Sequence, residues 1–128
     1  MSRKILMFEM NSLADALAVD RVAAAFDAEV VPIPRKHYNK TLEDLVDPWS
    51  EIYDEDAETE DYTGGALGGR MMVLCELEDQ LEALLPALSA AGAGPACLKA
   101  VLTPSNRSWD PVRLYRELQR ERQAMSGK

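Results

Sequence analysis

Apolar residues recur along this chain at two spacings, and each spacing indicates a different structural element. Short continuous runs of apolar and β-branched residues have the length of buried strands, whereas apolar residues that return every three or four positions mark one face of a helix. Four runs of strand length lie at residues 4–10, 28–33, 70–77 and 96–103. A helical pattern follows each run, so the chain has the order strand, helix, strand, helix, and then repeats it.

The first run, KILMFEM, opens the chain and leads into an apolar helix. Ser12 can cap that helix, and Asp15 stands three residues later, as in a capping box. The predicted buried face of the helix consists of Leu13, Ala16, Val19, Ala23 and Phe26. The second run contains Pro32, which favours an edge or the end of a strand. A short helical turn is predicted over residues 41–46.

The last helix has the clearest boundary signals of the chain. Asp110 is a good N-cap, because its carboxylate can accept hydrogen bonds from the free N–H groups of the first helical turn. Pro111 suits the first helical position, where its missing N–H group costs nothing. Trp109 and Leu114 flank the cap with the spacing of a hydrophobic staple. A strand, a polar turn and a well-capped helix are therefore predicted here.

These elements predict one α/β domain over residues 1–128, built from two similar β-α-β-α halves at residues 1–46 and 70–128. Two β-α-β units side by side give one four-stranded sheet with helices packed on it. The relative direction of the two strand pairs is open, so the sheet is parallel or mixed, and a ferredoxin-like arrangement is one alternative. Residues 47–69 form an insert that is acidic and then rich in glycine. Its GGALGG stretch is interpreted as a flexible joint.

The negative charge of the chain is concentrated in and just before that insert. The net charge is −8, yet residues 41–69 hold ten acidic residues and no Lys or Arg, which leaves 12 acids against 14 bases elsewhere. A near-neutral domain with an acidic insert argues against nucleic-acid binding, which needs a basic footprint. The insert lacks the glycine and glutamate positions of an EF-hand loop. A solvated charge run, or a segment that engages a basic partner, is predicted instead.

Several functional classes find no support in the sequence. No stretch approaches the length of a membrane span, and Glu9 breaks the one apolar run that resembles a signal peptide. Cys75 and Cys97 lie in apolar runs and are expected to be buried, reduced thiols of a cytoplasmic protein. No nucleophile elbow occurs, and GGALGGR lacks the Lys-Ser/Thr of a P-loop. We therefore expect no metal site, no cofactor and no catalytic residue.

A spaced pattern, Lys-x3-Thr-x2-Asn-x2-Trp, runs from the fourth predicted strand into the last helix. Its residues are Lys99, Thr103, Asn106 and Trp109, followed by Leu114, Glu117 and Leu118. In this pattern the chain resembles the domain of unknown function 3783 family, a group of small bacterial α/β proteins. The resemblance is strongest over residues 70–121. It implies an α/β fold and a bacterial cytoplasmic protein, and it implies no activity.

Two polar loops at predicted strand ends, residues 34–39 and 104–109, are the candidate binding sites. Ligands of open α/β sheets bind beyond the carboxyl ends of strands, and the free N–H groups before the last helix favour an anion. The candidate residues are Asn106, Arg107, Trp109, His37 and Asn39. A structural interpretation is simpler, because Asn side chains commonly tie turns and Trp109 staples the helix. The single histidine lies beside no acid or nucleophile that would give it a catalytic role.

Two functional hypotheses follow. The first is a non-enzymatic interaction or regulatory domain that self-associates or binds another protein, since an acidic insert and a basic last helix can pair within or between molecules. The basic residues of that helix are Arg113, Arg116, Arg120 and Arg122. The alternative is a small-molecule-binding protein or enzyme with an unidentified ligand. It would use a pocket between the two loops that holds Asn106 together with His37 or Asn39.

Overall fold

The computed structural model describes residues 3–9, 13–46, 62–92 and 97–126 of the chain. Strands and helices alternate in these ranges, in the order that the sequence predicts. The elements are β1 (Arg3–Phe8), α1 (Leu13–Ala25), β2 (Ala28–Pro32), α2 (Leu42–Val46), β3 (Met71–Cys75), α3 (Leu81–Ala90), β4 (Leu98–Val101) and α4 (Pro111–Ser126). The Ser12 cap and the acidic stretch at residues 47–61 lie outside the described residues.

The four strands form one mixed sheet in the order β2-β1-β3-β4. β1 pairs with β2 in parallel, β3 pairs with β4 in parallel, and β1 meets β3 antiparallel with Leu6 opposite Val73. The sheet is therefore mixed, which was one of the two alternatives left open by the sequence. The ferredoxin-like arrangement is not confirmed, because that fold splits each β-α-β unit, whereas here the two strands of each unit are neighbours.

Helices cover both faces of the sheet. Ile5 and Met7 point to a cluster that includes residues of α1 and α3, while Leu6 and Phe8 point to a second cluster with residues of α2 and α4. Successive residues of a strand face opposite sides, so this alternation places one cluster on each face. The two central strands are accordingly apolar on both faces, as expected for strands buried in a three-layer α/β/α arrangement.

The buried face of α1 differs from the sequence prediction at its first residue. Val19 and Ala23 are buried, and Ala16 and Phe26 pack against the same cluster, as predicted. Leu13, by contrast, is 76 % exposed. Apolar residues occur on every side of α1, so the three- and four-residue spacing alone could not decide which of them face the sheet.

The start of α4 follows the sequence prediction. The backbone N–H of Arg113 donates to Asp110 Oδ1 at 2.8 Å, which is the hydrogen bond of an N-cap. Pro111 is the first residue of the helix. Trp109 packs against the cluster that contains Leu114, and the Arg113 guanidinium lies 4.3 Å from the centre of the Trp109 ring. The start of α4 is therefore stabilised both by a hydrogen bond and by apolar packing.

The two cysteines are free and buried, and they lie on opposite faces of the sheet. Burial raises the pKa of the Cys75 thiol to about 12 and raises that of Cys97 as well. Among the described residues, no helix combines the length and the apolar character that crossing a bilayer requires. Within the same ranges, no group of three or more His, Cys, Asp or Glu side chains is placed to hold a metal ion.

Candidate functional site

A largely buried carboxylate lies directly after β1. Glu9 has a positive φ of 61°, and only 9 % of its side chain is exposed. The Tyr38 hydroxyl donates to Glu9 Oε1 at 3.0 Å and accepts from the Glu9 backbone N–H at 3.2 Å. Burial, and then the neighbouring Glu9, raise the pKa of Tyr38 to about 12. The phenol therefore keeps its proton and holds the carboxylate in place.

Residues 62–69, here called the cover segment, pass over this carboxylate. The backbone N–H of Leu67 donates to Glu9 Oε1 at 3.3 Å. The N–H of Tyr62 donates to the Lys36 carbonyl at 2.8 Å, and the Tyr62 ring lies 5.8 Å from that of Tyr38. The cover segment, which includes the glycine-rich stretch predicted as a flexible joint, thus contacts the first half of the chain through these two hydrogen bonds.

A cleft of about 340 Å³ opens beside Glu9, at the carboxyl ends of the parallel strands β1 and β2. Its described lining consists of Met7, Glu9, Pro32, Ile33, Pro34, Arg35 and Tyr38. The Arg35 guanidinium lies 3.8 Å from Glu9 Oε2, and 54 % of the Arg35 side chain is exposed. The described lining thus combines one negative charge, one positive charge and an apolar wall. These described residues include no Ser, Cys or His, so this part of the lining offers groups for binding.

The turn at residues 103–109, which contains the predicted loop 104–109, is tied by Asn106, which is 8 % exposed. Its Oδ1 accepts from the backbone N–H of Thr103 at 2.9 Å, and its Nδ2 donates to the Val101 carbonyl at 3.0 Å. Its own backbone N–H donates to Thr103 Oγ1 at 3.2 Å. Both ends of the Asn106 side chain are therefore engaged in holding the turn, which is the structural role that the sequence also suggested.

The same turn caps α2, which belongs to the other half of the chain. The carbonyls of Trp109 and Arg107 accept from the backbone N–H groups of Leu42 and Glu43, each at 2.9 Å. A helix leaves its first N–H groups without partners inside the helix, so these carbonyls satisfy two of them. Arg107 Nε adds an ion pair to Glu43 Oε2 at 3.1 Å.

The two predicted binding loops do not meet in one pocket. β2 is antiparallel to β4 across the sheet, so the loops that follow these strands leave it at opposite ends. The cleft takes Pro34, Arg35 and Tyr38 from the first loop and no residue from 104–109. His37 is half-buried and Asn39 is exposed, and neither lines the cleft. Ligand binding by the five predicted residues stays a prediction.

Sequence reasoning did not identify Glu9, Arg35 or Tyr38 as a group. The one available signal was Glu9 itself, an acid at the end of an otherwise apolar strand run. An acid at such a position is held near the core only when partners satisfy it. Its partner Tyr38 lies 29 residues further along the chain, and no local spacing connects the two.

A second notable surface is the outer side of α1. Leu13 is 76 % exposed and Leu17, one turn later, is 52 % exposed. The exposed residues of the helix are Leu13, Ala14, Leu17, Asp20, Arg21, Ala24 and Ala25, here called the outer face of α1. Most of them are apolar, although they point away from the sheet. Leu85 of α3 is also partly exposed.

In the comparison with known proteins, one family model matches part of the chain. The family model described as Domain of unknown function (DUF3783) matches residues 70–125, which run from just before β3 almost to the end of α4. This match confirms the resemblance drawn from the sequence pattern. No curated protein and no solved structure matches the chain. The matched segment contains the Asn106 turn, whereas Glu9, Tyr38 and α1 lie outside it.

Proposed function

We propose that this protein is a non-enzymatic interaction domain that self-associates through the outer face of α1. The observation that supports this proposal is the exposure of Leu13 and Leu17 at 76 % and 52 %. A helix that is apolar on all sides is typical of one that is covered on all sides, and the sheet covers only one side of α1. Exposed apolar patches commonly mark protein interaction surfaces.

A second copy of this chain suits the outer face of α1, because the face is self-complementary. A two-fold axis between Asp20 and Arg21 would pair each Asp20 with the partner's Arg21 in an antiparallel helix contact. The same axis sets Leu17 against the partner's Ala24, a large residue against a small one. Two-fold interfaces use one patch twice, so each favourable contact occurs two times.

The test of this proposal is the oligomeric state of the purified protein, measured by native mass spectrometry and light scattering. We expect a dimer, and Leu17→Glu should weaken dimerisation by about tenfold or more, because it places an unpaired carboxylate against the partner's Ala24 on each side of the axis. Arg116→Ala is the matched control: it changes the net charge by the same amount at an exposed position of α4 and should leave the dimer intact.

A charge exchange sharpens the test. Asp20→Arg alone should weaken the dimer, since it sets Arg21 against a like charge, and adding Arg21→Asp should restore it. Circular dichroism confirms that each variant is folded. A wild-type chain that stays monomeric at about 100 μM would overturn the proposal, since interfaces of standard size have dissociation constants in the micromolar range or below. Equal dimerisation of Leu17→Glu and Arg116→Ala would overturn it as well.

We also propose that the two halves arose by duplication of one β-α-β-α unit, and that the protein works in a bacterial cytoplasm. Glu9 and Glu76 support the duplication: each directly follows its strand, with φ of 61° and 60°. Leu6 and Val73, which pair where β1 meets β3, each lie three residues before these glutamates, so the two positions correspond in the two halves. Free, buried cysteines suit a reducing compartment. Related chains whose halves share no common pattern would contradict the duplication.

A further inference from the structure

We propose that the cleft beside β1 and β2 binds a small zwitterion of the α-amino-acid class. The ligand's ammonium group would bind the Glu9 carboxylate, its carboxylate would bind the Arg35 guanidinium, and its apolar side chain would lie against Pro32, Ile33 and Pro34. This binding site is separate from the outer face of α1 and goes beyond the proposed self-association.

Glu9 provides a fixed anion with one oxygen suited to a ligand. Oε1 already accepts from the Tyr38 hydroxyl at 3.0 Å and from the Leu67 N–H at 3.3 Å. Among the described residues, Oε2 has the Arg35 guanidinium as its charged neighbour, at 3.8 Å. That distance exceeds the length of a good hydrogen bond. An ammonium group can therefore approach Oε2 without breaking the bonds that orient the carboxylate.

Arg35 provides the matching cation at the mouth of the cleft. With 54 % of its side chain exposed, it can swing outward at little cost, since its ion pair with Glu9 is long. Its guanidinium has the planar donor geometry that suits a carboxylate. A ligand whose two charged groups sit on one carbon atom can thus enter between Glu9 and Arg35 and replace one weak ion pair by two.

The composition of the cleft excludes simpler ligands on electrostatic grounds. A plain amine would satisfy Glu9 but bring a second cation beside Arg35, and a plain carboxylate would bring a second anion beside Glu9. Of these three ligand types, only the zwitterion complements both charges of the described lining. The volume of about 340 Å³ lies at the small end of ligand pockets, which suits one amino acid. Proline and isoleucine in the wall favour an aliphatic side chain.

Binding can be measured by isothermal titration calorimetry with three probes of one shape. L-leucine carries both charges, isoamylamine lacks the carboxylate, and 4-methylpentanoate lacks the amine. We expect leucine to bind about tenfold or more tightly than either analogue, because removing one charged group from a partly buried ion pair weakens binding by at least that factor. Leucine that gives no heat and no shift in melting temperature, or that binds no better than both analogues, would overturn the inference.

Two variants separate binding from a merely structural role. Glu9→Gln keeps an oxygen for Tyr38 and Leu67 but removes the charge, so leucine should lose its advantage over 4-methylpentanoate. Arg35→Gln should remove its advantage over isoamylamine. Glu43→Gln and Arg107→Gln break a surface ion pair remote from the cleft and should leave all three affinities unchanged. Retention of full leucine selectivity in both Glu9→Gln and Arg35→Gln would overturn the inference, whatever the oligomeric state.

Discussion

Single polar residues hold the two loops that follow the strands β2 and β4. Tyr38 and Asn106 are both buried, and each forms hydrogen bonds that fix a neighbouring piece of backbone. In the described part of the chain, no buried side-chain nitrogen or oxygen lacks a hydrogen-bond partner. A buried polar group without a partner costs more free energy than its hydrogen bond contributes. Truncating either residue is therefore expected to cost stability.

Asn106→Ala should lower the free energy of unfolding by about 2–3 kcal/mol, because it leaves the Thr103 N–H and the Val101 carbonyl without their partner. Asn106→Asp keeps the acceptor for Thr103 and removes the donor to Val101, so its effect should be intermediate. Urea unfolding followed by circular dichroism measures both. Ser105→Ala, at an exposed position of the same turn, should change stability by no more than about 0.5 kcal/mol. An Asn106→Ala variant as stable as this control would refute the structural role.

At the scale of elements, the cover segment is packed between the first half and α4. Leu67 bonds to Glu9 on one side, while on the other side Gly69 approaches α4 so closely that an added Cβ would lie 2.8 Å from the Tyr115 hydroxyl oxygen. Gly68 has φ of +109°, a conformation that favours glycine. These glycines therefore serve close packing and a special backbone conformation.

Gly69→Ala should destabilise the protein by about 1–3 kcal/mol, because the new methyl group overlaps the Tyr115 hydroxyl. The same substitution in a Tyr115→Phe background should cost less, since the overlapping oxygen is gone. At Gly65 nothing lies within 4 Å of an added Cβ, so Gly65→Ala is the control and should be close to neutral. Thermal and urea unfolding of the four variants would show this. A Gly69→Ala cost that is the same in both backgrounds would contradict the packing argument.

At the scale of the whole molecule, the two halves are joined by more than the sheet. The turn at residues 103–109 caps α2, and the cover segment bonds to the end of β1. The fold also buries the Tyr38 phenol and the Cys75 thiol in its core. Because burial disfavours the charged forms of these groups, the stability of the fold should fall at alkaline pH.

The direction of this pH dependence follows from two raised pKa values. The pKa of Tyr38 rises from 10.0 and that of Cys75 from 9.0, each to about 12. In the unfolded chain these groups lose their protons at lower pH than in the fold. The contribution of these two groups to the free energy of unfolding is therefore complete below pH 9 and disappears as the pH rises toward 12. The lowered pKa of Lys99 acts in the opposite direction.

Urea midpoints measured between pH 7 and 11 would reveal this decrease. Tyr38→Phe and Cys75→Ala should each flatten the alkaline fall, even though each lowers stability at pH 7. Tyr62→Phe serves as the control and should retain the wild-type slope, because the Tyr62 hydroxyl donates to a carbonyl at an exposed position. An unchanged slope in both test variants would show that other groups control the alkaline transition.

The sequence by itself determined the features that depend on a few neighbouring residues. The order of strands and helices, the Asp110 cap with Pro111, and the turn-tying role of Asn106 all rest on interactions within about five positions. The Lys99–Trp109 pattern pointed to the family whose model matches residues 70–125. Such local features are encoded directly, because the interacting groups are held together by the chain itself.

Only the tertiary structure decided what depends on distant partners. The antiparallel pairing of β1 with β3, the opposite placement of the two loops, and the pairing of Glu9 with Tyr38 join residues far apart in the chain. The exposure of Leu13 likewise depends on which side of α1 packs against the sheet. The sequence left this open, because apolar residues occur on every side of the helix. These features depend on the packing of the whole molecule, where many weak interactions compete. The spacing of residues along the sequence does not predict which of these contacts form.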